Sequence, residues 1–92
     1  MNKLRSEILS AADKLINEDK AKEHGKASIT MRRVARLWEA YLDLPEGTIT
    51  PADACAMMSL LKKARFRMKK SRDNIIDDCG YTALQGELEE RS

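Results

Sequence analysis

Apolar residues recur every three or four positions along most of this chain, which is the spacing of one face of an α-helix. No segment shows the sustained alternation of apolar and polar residues, with β-branched side chains, that is typical of a strand. The pattern predicts four helices, over residues 2–22, 28–42, 51–69 and 73–89. Because the links between them are short, neighbouring helices should run antiparallel. The sequence therefore predicts an all-α fold, a compact antiparallel bundle of about four helices.

The start of the third helix is the clearest boundary in the sequence. In "TPADACAMM", Thr50 is a good N-cap, Pro51 occupies the first helical position, and Asp53 can return a hydrogen bond to the cap. Upstream, Pro45 and Gly47 should end the second helix and form a turn. The first helix should end near "HGK", at residues 24–26, where a glycine can adopt the left-handed conformation.

Each predicted helix has an apolar side that should face the core. For the second helix these residues are Ile29 (or Thr30), Val34, Leu37, Trp38, Tyr41 and Leu42, opposite Arg32, Arg33, Arg36 and Glu39. For the third they are Ala54, Met57, Met58, Leu61, Ala64 and Met68. In the fourth, Gly80 costs helix stability, and this indicates a close helix crossing or the approach of a ligand.

A chain of 92 residues forms one domain, over residues 1–92. A domain this small is marginally stable alone, so we expect a homo-oligomer in which subunits share the core. Trp38 and Tyr41, at helical spacing, are expected to be anchors of the core or of the subunit interface. Nothing in the sequence approaches the length of apolar residues that crosses a bilayer, so no membrane association is expected.

The two cysteines, Cys55 and Cys79, lie among apolar neighbours on predicted helices. We interpret them as small core residues without a disulfide, in a reduced, cytoplasmic setting. They lack the further cysteine and histidine ligands of a structural zinc site. His24 is the one histidine, which argues against a histidine-based metal centre.

Charge is concentrated in the basic segment, which we define as Lys62–Arg72. It contains seven of the 17 basic residues and no acidic residue, although the whole chain carries a net charge of only +2. Lys62, Arg65 and Lys69 should form one column on the third helix and are the candidate phosphate-binding residues. Such a local concentration favours a confined anion site over the broadly basic face of a protein that coats DNA.

Acidic residues follow the basic segment at once. Asp73 and Asp77 are separated by one helical turn, or about 6 Å of rise, and together with Asp53 they are the candidate metal ligands. Two carboxylates one turn apart suit Mg²⁺, which accepts few carboxylates and retains several waters. The cation would then bridge phosphates held by the basic column, and Tyr81 could stack on the base of a bound nucleotide.

Two other interpretations explain the same residues. In the first, the charges only cap helices, complement helix dipoles and form ion pairs across the hairpin, with Asp73 as the N-cap of the fourth helix. In the second, the protein is a non-enzymatic interaction protein that binds nucleic acid or a host protein through residues 62–72. Sequence alone ranks a nucleotide, or another phosphorylated small molecule, above nucleic acid as the ligand.

The segments "ITMRRVARLWEAYL", "ITPADACAMMSLLKKARFR" and "DNIIDDCGYTAL" resemble a family of short bacteriophage and prophage proteins of unknown function. The resemblance covers most of residues 23–84. By position, the family pattern corresponds here to Trp38, Asp53, Lys62, Arg65, Asp73, Asp77, Gly80 and Tyr81.

That family is in turn distantly similar to the all-α nucleotide pyrophosphohydrolases of the MazG type. The resemblance implies an oligomeric helical protein that holds magnesium against a nucleoside triphosphate with carboxylates borne on helices. This chain departs from the pattern, because the Glu-Glu-x-x-Glu helix of those enzymes has no counterpart in it. The resemblance is therefore compatible with two functions, a magnesium-dependent hydrolase and a binding protein without catalysis.

Overall fold

The computed structural model describes residues 2–19 and 26–91 of the chain. These residues form helix α1 (Asn2–Lys14) continued by a π-helical turn (Leu15–Asp19), then α2 (Ala27–Leu42), α3 (Pro51–Met68) and α4 (Arg72–Arg91). No strand occurs in the described part of the chain. The prediction of an all-α bundle is confirmed. The predicted end of the first helix, with His24 and Gly25, lies outside the described residues.

The first helix departs from the prediction after Lys14. The α-helical hydrogen-bonding pattern ends at Lys14, and Leu15–Asp19 form a wider, π-helical turn. The sequence predicts an unbroken α-helix over this stretch, since none of its residues is a helix breaker. A π-helical turn accommodates an extra residue and so changes the direction of the side chains that follow. One residue of this turn, Ile16, packs against α4 at Gly80.

Helix α2 ends where the sequence predicts, but Asp43 rather than glycine adopts the left-handed conformation, with φ 57° and ψ 45°. Aspartate tolerates this conformation better than most residues with a side chain. The N–H of Leu44 then donates to the carbonyl oxygen of Glu39 at 2.8 Å. Gly47, with φ 93°, forms the predicted turn in the loop to α3.

The predicted capping box at the start of α3 is present in full. The Thr50 hydroxyl accepts a hydrogen bond from the Asp53 N–H at 3.0 Å, and the Asp53 carboxylate accepts one from the Thr50 N–H at 3.1 Å. Pro51 occupies the first helical position. These bonds satisfy N–H groups that the helix itself leaves unpaired.

Helix α4 lies at the centre of the bundle, against α3 on one side and α1 on the other. Helices α3 and α4 form the predicted antiparallel hairpin, joined by Lys69–Ser71. Gly80 is the one buried residue of α4, and a Cβ atom there would lie 2.9 Å from Cγ2 of Ile16. The prediction that Gly80 permits a close helix crossing is therefore confirmed, with the end of the first helix as the crossing element.

The core is small and made largely of small side chains. Its buried centre comprises Met31, Ala35, Ala54 and Cys55, and Cys55 is the largest side chain that is fully buried. Partly buried side chains pack around this centre: Val34, Trp38, Ile49, Tyr81, Leu84 and Leu88. Cys55 and Cys79 are both free thiols, as predicted. The predicted role of Trp38 in the core agrees with this packing.

On α2 the predicted apolar side is partly wrong. Leu37, Tyr41 and Leu42 are 69%, 87% and 55% exposed, whereas Glu39, predicted on the solvated side, is 2% exposed. The helix turns Met31 and Ala35 inward instead, where they pack in one buried cluster with Ala54 and Cys55 of α3. Tyr41 is therefore not a core residue of this chain, and its role in a subunit interface stays a prediction.

On α3 the predicted stripe is also partly wrong. Met57, Leu61 and Met68 are 41%, 41% and 90% exposed, and the buried residues are Ala52, Ala54, Cys55 and Ser59. Apolar residues lie on two opposite sides of this helix, so periodicity does not determine which side faces inward. The sequence predicts the side with the larger residues, and the structure buries mainly the side with the smaller ones.

Candidate functional site at the α3–α4 hairpin

The predicted meeting of basic and acidic residues occurs between α3 and α4. Nζ of Lys62 lies 3.1 Å from Oδ2 of Asp77, and the two side chains are only 14% and 27% exposed. The antiparallel hairpin brings the two residues together because they are nearly equidistant from its connecting turn. Shielding from solvent makes this pair stronger than an exposed one, but it also means that the Lys62 charge is already balanced.

A second ion pair lies beside the first. Nζ of Lys63 donates to Oδ2 of Asp78 at 2.6 Å and to the Ser59 hydroxyl at 3.2 Å. Ser59 in turn donates to the other oxygen of Asp78, and Thr82 lies within hydrogen-bond distance of both Ser59 and Asp78. The four residues form a polar network that connects α3 to α4 where Ser59 is buried.

Asp78 is the carboxylate whose ionised form this network stabilises. Burial raises the pKa of Asp78, but the hydrogen bonds from Lys63 and Ser59, with the positive charge of Lys63, outweigh burial. The net effect is a pKa below the ordinary value. Asp78 is thus held as an anion whose hydrogen-bonding capacity is largely occupied by the protein itself.

Tyr81 follows Asp77 and Asp78 on α4 and packs against the hydrophobic core. Burial raises the pKa of its hydroxyl, and the negative charge of Asp77 adds to the effect. The ring is half-buried rather than fully presented to solvent. Its role as a stacking surface for a base stays a prediction.

The remaining cations of the basic segment surround the turn between the two helices. We call Arg65, Arg67, Lys69, Lys70 and Arg72 the basic tip; all five are exposed. Arg72 lies 4.0 Å from Glu7 of α1. For the other four, no carboxylate among residues 2–19 and 26–91 lies within ion-pair distance. Of the predicted phosphate-binding column, Arg65 and Lys69 belong to this accessible group, whereas Lys62 is paired with Asp77.

The three predicted metal ligands occupy different surroundings. Asp53 caps α3, Asp77 pairs with Lys62, and Asp73 is exposed in the first turn of α4. The N–H of Asp73 donates to the Ser71 hydroxyl at 3.1 Å, so Ser71 rather than Asp73 caps this helix. Within the described residues, no three His, Cys, Asp or Glu residues form a group that could hold a metal ion. Binding of Mg²⁺ stays a prediction.

Two polar features are absent from the sequence-based prediction. The network around Asp78 has a signal in retrospect, because Ser59 and Lys63 are one turn apart and Asp78 and Thr82 are one turn apart. No comparable sequence signal marks Glu39. Its Oε2 accepts the Ile49 N–H at 2.7 Å, and its Oε1 is buried without a hydrogen-bond partner among the described residues. Only the fold reveals that Glu39 faces the α2–α3 loop.

Comparison with known proteins places the chain in a family. A protein-family model described as "Domain of unknown function (DUF6378)" matches residues 7–89, and the chain belongs to that family. The chain is also similar to a phage protein, the Gene 55 protein of Mycobacterium phage L5, at 38% identity over 78 residues. The match covers 84% of this chain and 49% of the relative, so the chain spans about half the length of that protein.

These matches confirm the predicted resemblance to a phage-type family of unknown function. The further resemblance to enzymes of the MazG type stays a prediction. No solved structure matches the chain. In the part of the chain that the structure describes, none of the helices combines the length and apolar character required to span a membrane.

Proposed function

We propose that this phage-type protein binds the phosphate backbone of a nucleic acid through the basic tip, without catalysis. The observation that carries the proposal is the division of the basic segment into two parts. Lys62 and Lys63 are paired with Asp77 and Asp78, whereas the five cations of the basic tip project into solvent. An exposed cationic surface around a hairpin turn suits an extended polyanion better than a small molecule, which requires a concave site.

The balance of the ion pairs supports this preference for nucleic acid. A nucleotide bound by Lys62 would have to compete with Asp77 for a lysine that is only 14% exposed. A strand bound at the basic tip disrupts no ion pair closer than the 4.0 Å contact between Arg72 and Glu7. Lys62 then has a structural role, and Arg65 and Lys69 remain as the phosphate-binding members of the predicted column.

The test measures binding of the protein to labelled single-stranded and duplex 20-mers between 50 and 200 mM salt by fluorescence anisotropy. About five phosphate contacts predict a log–log salt slope of about −4.5 for a duplex and about −3.5 for a single strand. Affinity should not depend on base sequence, because phosphate contacts carry no sequence information.

Two matched variants separate the basic tip from general charge. Lys69→Ala with Lys70→Ala should weaken binding and reduce the salt slope by about two. Arg32→Ala with Arg33→Ala removes the same charge from exposed positions on α2 and should leave the slope unchanged. Equal losses in the two double variants, or a slope near zero for the unmodified protein, would refute the proposal.

A second candidate is binding of a nucleotide with Mg²⁺, with or without hydrolysis of that nucleotide, as the MazG resemblance implies. The observation that favours it is the contact of Lys62 with Asp77 beside Tyr81, the arrangement that the sequence predicts for a phosphate and metal site. Thermal unfolding with nucleoside triphosphates, with and without Mg²⁺, tests it. A ligand at about 100 times its Kd stabilises the fold by about 2.7 kcal/mol.

The two candidates give distinct results. Stabilisation by a nucleotide that requires Mg²⁺ and is lost in Asp77→Asn supports the second candidate. Binding of oligonucleotides that persists in EDTA and is weakened by Lys69→Ala with Lys70→Ala supports the first. Absence of any shift across the nucleotide series, with or without metal, excludes the second.

A further inference from the structure

Helix α3 exposes a continuous row of apolar side chains that the described residues of this chain do not cover. We call it the α3 stripe: Met57, Leu60, Leu61, Ala64 and Met68. Leu60 is 63% exposed and Met68 is 90% exposed. At about 100° per residue, Met57 and Ala64 lie roughly opposite Cys55, the buried contact of the helix with the core. A helix that is apolar on opposite sides is normally buried on both.

The spacing of the α3 stripe fits a second helix. Met57, Leu61, Ala64 and Met68 are separated by four, three and four residues, which is the spacing of the a and d positions of a coiled coil. Leu60 lies beside this seam and widens it. A seam of this kind buries its side chains against another helix with the same spacing, and α3 of a second copy has that spacing.

The surface of the chain is large enough for such an interface. A folded monomer of 10.4 kDa exposes about 5,400 Å², whereas this chain exposes 6944 Å². The excess is about 1,500 Å², and a stable interface requires about 800 Å² from each partner. The radius of gyration, 14.0 Å, also exceeds the value of about 12 Å typical of a compact domain of this length.

Charges at the two ends of the α3 stripe determine the direction of pairing. Exposed Asp53 lies in line with the stripe at the N-terminal end of α3, and Arg65 and Arg67 flank it at the C-terminal end. Parallel pairing would place like charges side by side. Antiparallel pairing places the carboxylate of each copy beside the cations of the other, and it opposes the two helix dipoles favourably.

We propose that two copies of this chain form a symmetric dimer by antiparallel packing of their α3 stripes, with Leu60 and Leu61 at the two-fold axis. The interface is isologous, so residues near 57 contact residues near 64 of the other copy. The single carboxylate of Asp53 balances only part of the basic tip of the partner. The two basic tips lie at opposite ends of the interface and remain cationic. The proposal does not depend on the identity of their ligand.

Sedimentation equilibrium between 1 and 200 μM tests the dimer. Leu60→Glu should raise the dimer Kd at least about 100-fold, because it places two like charges near the axis in an apolar interface. Leu9→Glu is the matched control: Leu9, on α1, is 64% exposed and lies outside the α3 stripe. It should leave the Kd unchanged. A monomeric unmodified protein at 200 μM, or equal effects of the two variants, would overturn the proposal.

Disulfide cross-linking tests the direction of pairing and does not rely on a destabilising change. In a Cys79→Ser background, Leu60→Cys should cross-link to its symmetry mate on oxidation. Met68→Cys should not, because antiparallel pairing separates the two copies of this residue by about 22 Å. Cross-linking at both positions would indicate parallel pairing and would contradict the proposed geometry. Cross-linking at neither position would show that α3 is not the interface.

Discussion

Nζ of Lys62 on α3 lies 3.1 Å from Oδ2 of Asp77 on α4, and this contact joins the two helices near the middle of their hairpin. Both side chains are largely shielded from water, so each charge depends on the other for compensation. The same contact is central to the two functional candidates, as a structural ion pair in one and as part of a ligand site in the other. Its energetics are therefore the first quantity to measure.

Removal of one partner should destabilise the protein more than removal of both. We expect Asp77→Asn or Lys62→Met alone to lower the free energy of unfolding by about 1–3 kcal/mol, since each leaves a shielded charge without its partner. The double variant should lose less than either single variant, because it leaves no unpaired charge. Urea unfolding of the four proteins gives the coupling energy.

The exposed pair Arg91 and Glu87, 3.6 Å apart on α4, provides the control for this cycle. Its coupling should be below about 0.5 kcal/mol, because solvent screens both charges. If the coupling of Lys62 with Asp77 were equally small, the pair would not contribute to the hairpin, and Lys62 would be free to bind phosphate.

Asp78 should make stability depend on pH in the acidic range. Its folded-state pKa is below the ordinary 3.8, so its contribution is fully present above about pH 5 and is lost as the pH falls through the folded pKa. Asp78→Asn should therefore reduce the loss of stability between pH 5 and pH 2, and Ser59→Ala should reduce it less. Urea unfolding across this range measures the effect. A profile identical to that of the unmodified protein would contradict the assigned network.

Glu39 should stabilise the fold by holding the α2–α3 loop against α2. Its carboxylate accepts the Ile49 N–H at 2.7 Å in a buried setting, so Glu39→Ala should cost about 1–3 kcal/mol by leaving that donor unsatisfied. Glu39→Gln retains an acceptor and should cost less. Glu46→Ala removes only an exposed ion pair with Arg36 and should change stability by less than about 1 kcal/mol. Chemical denaturation compares the three, and hydrogen exchange at the Ile49 amide should accelerate in Glu39→Ala only.

The boundaries of α2, α3 and α4 were predictable to within two residues because they depend on local chemistry. Thr50 and Asp53 are three residues apart along the chain, and their capping bonds require no knowledge of the fold. The side of each helix that faces inward was less predictable, because it depends on which helices meet. Helix α3 is apolar on two sides, and only its contact with α4 and α2 assigns Cys55 to the core and Met57 to the surface.

For the candidate site, too, one part was predictable from the sequence and another part was not. The separation between Lys62 and Asp77 along a short hairpin was sufficient to predict that they meet. Their closure into a shielded pair was not predictable, since the depth of a side chain depends on the packing of α1 and α2. Glu39 illustrates the limit: its position on α2 groups it with Arg32, Arg33 and Arg36 on the predicted solvated side, whereas the structure buries it.

Gly80 should be sensitive to the smallest possible side chain. A Cβ atom there would lie 2.9 Å from Cγ2 of Ile16, and the expected strain of about 1–3 kcal/mol exceeds the gain in helix propensity of about 1 kcal/mol. Gly80→Ala should thus be neutral to destabilising by about 2 kcal/mol. At Gly86, on the same helix, an added Cβ has nothing within 4 Å, and Gly86→Ala should stabilise by up to about 1 kcal/mol.

A double-mutant cycle attributes the strain at Gly80 to Ile16. Ile16→Ala alone should destabilise the protein by loss of apolar contacts. In that background Gly80→Ala should become stabilising, as at Gly86, because the clashing methyl group is absent. Thermal unfolding of the single and double variants provides the comparison. If Gly80→Ala had the same effect with and without Ile16, the close crossing of the first helix with α4 would not be the reason for glycine at this position.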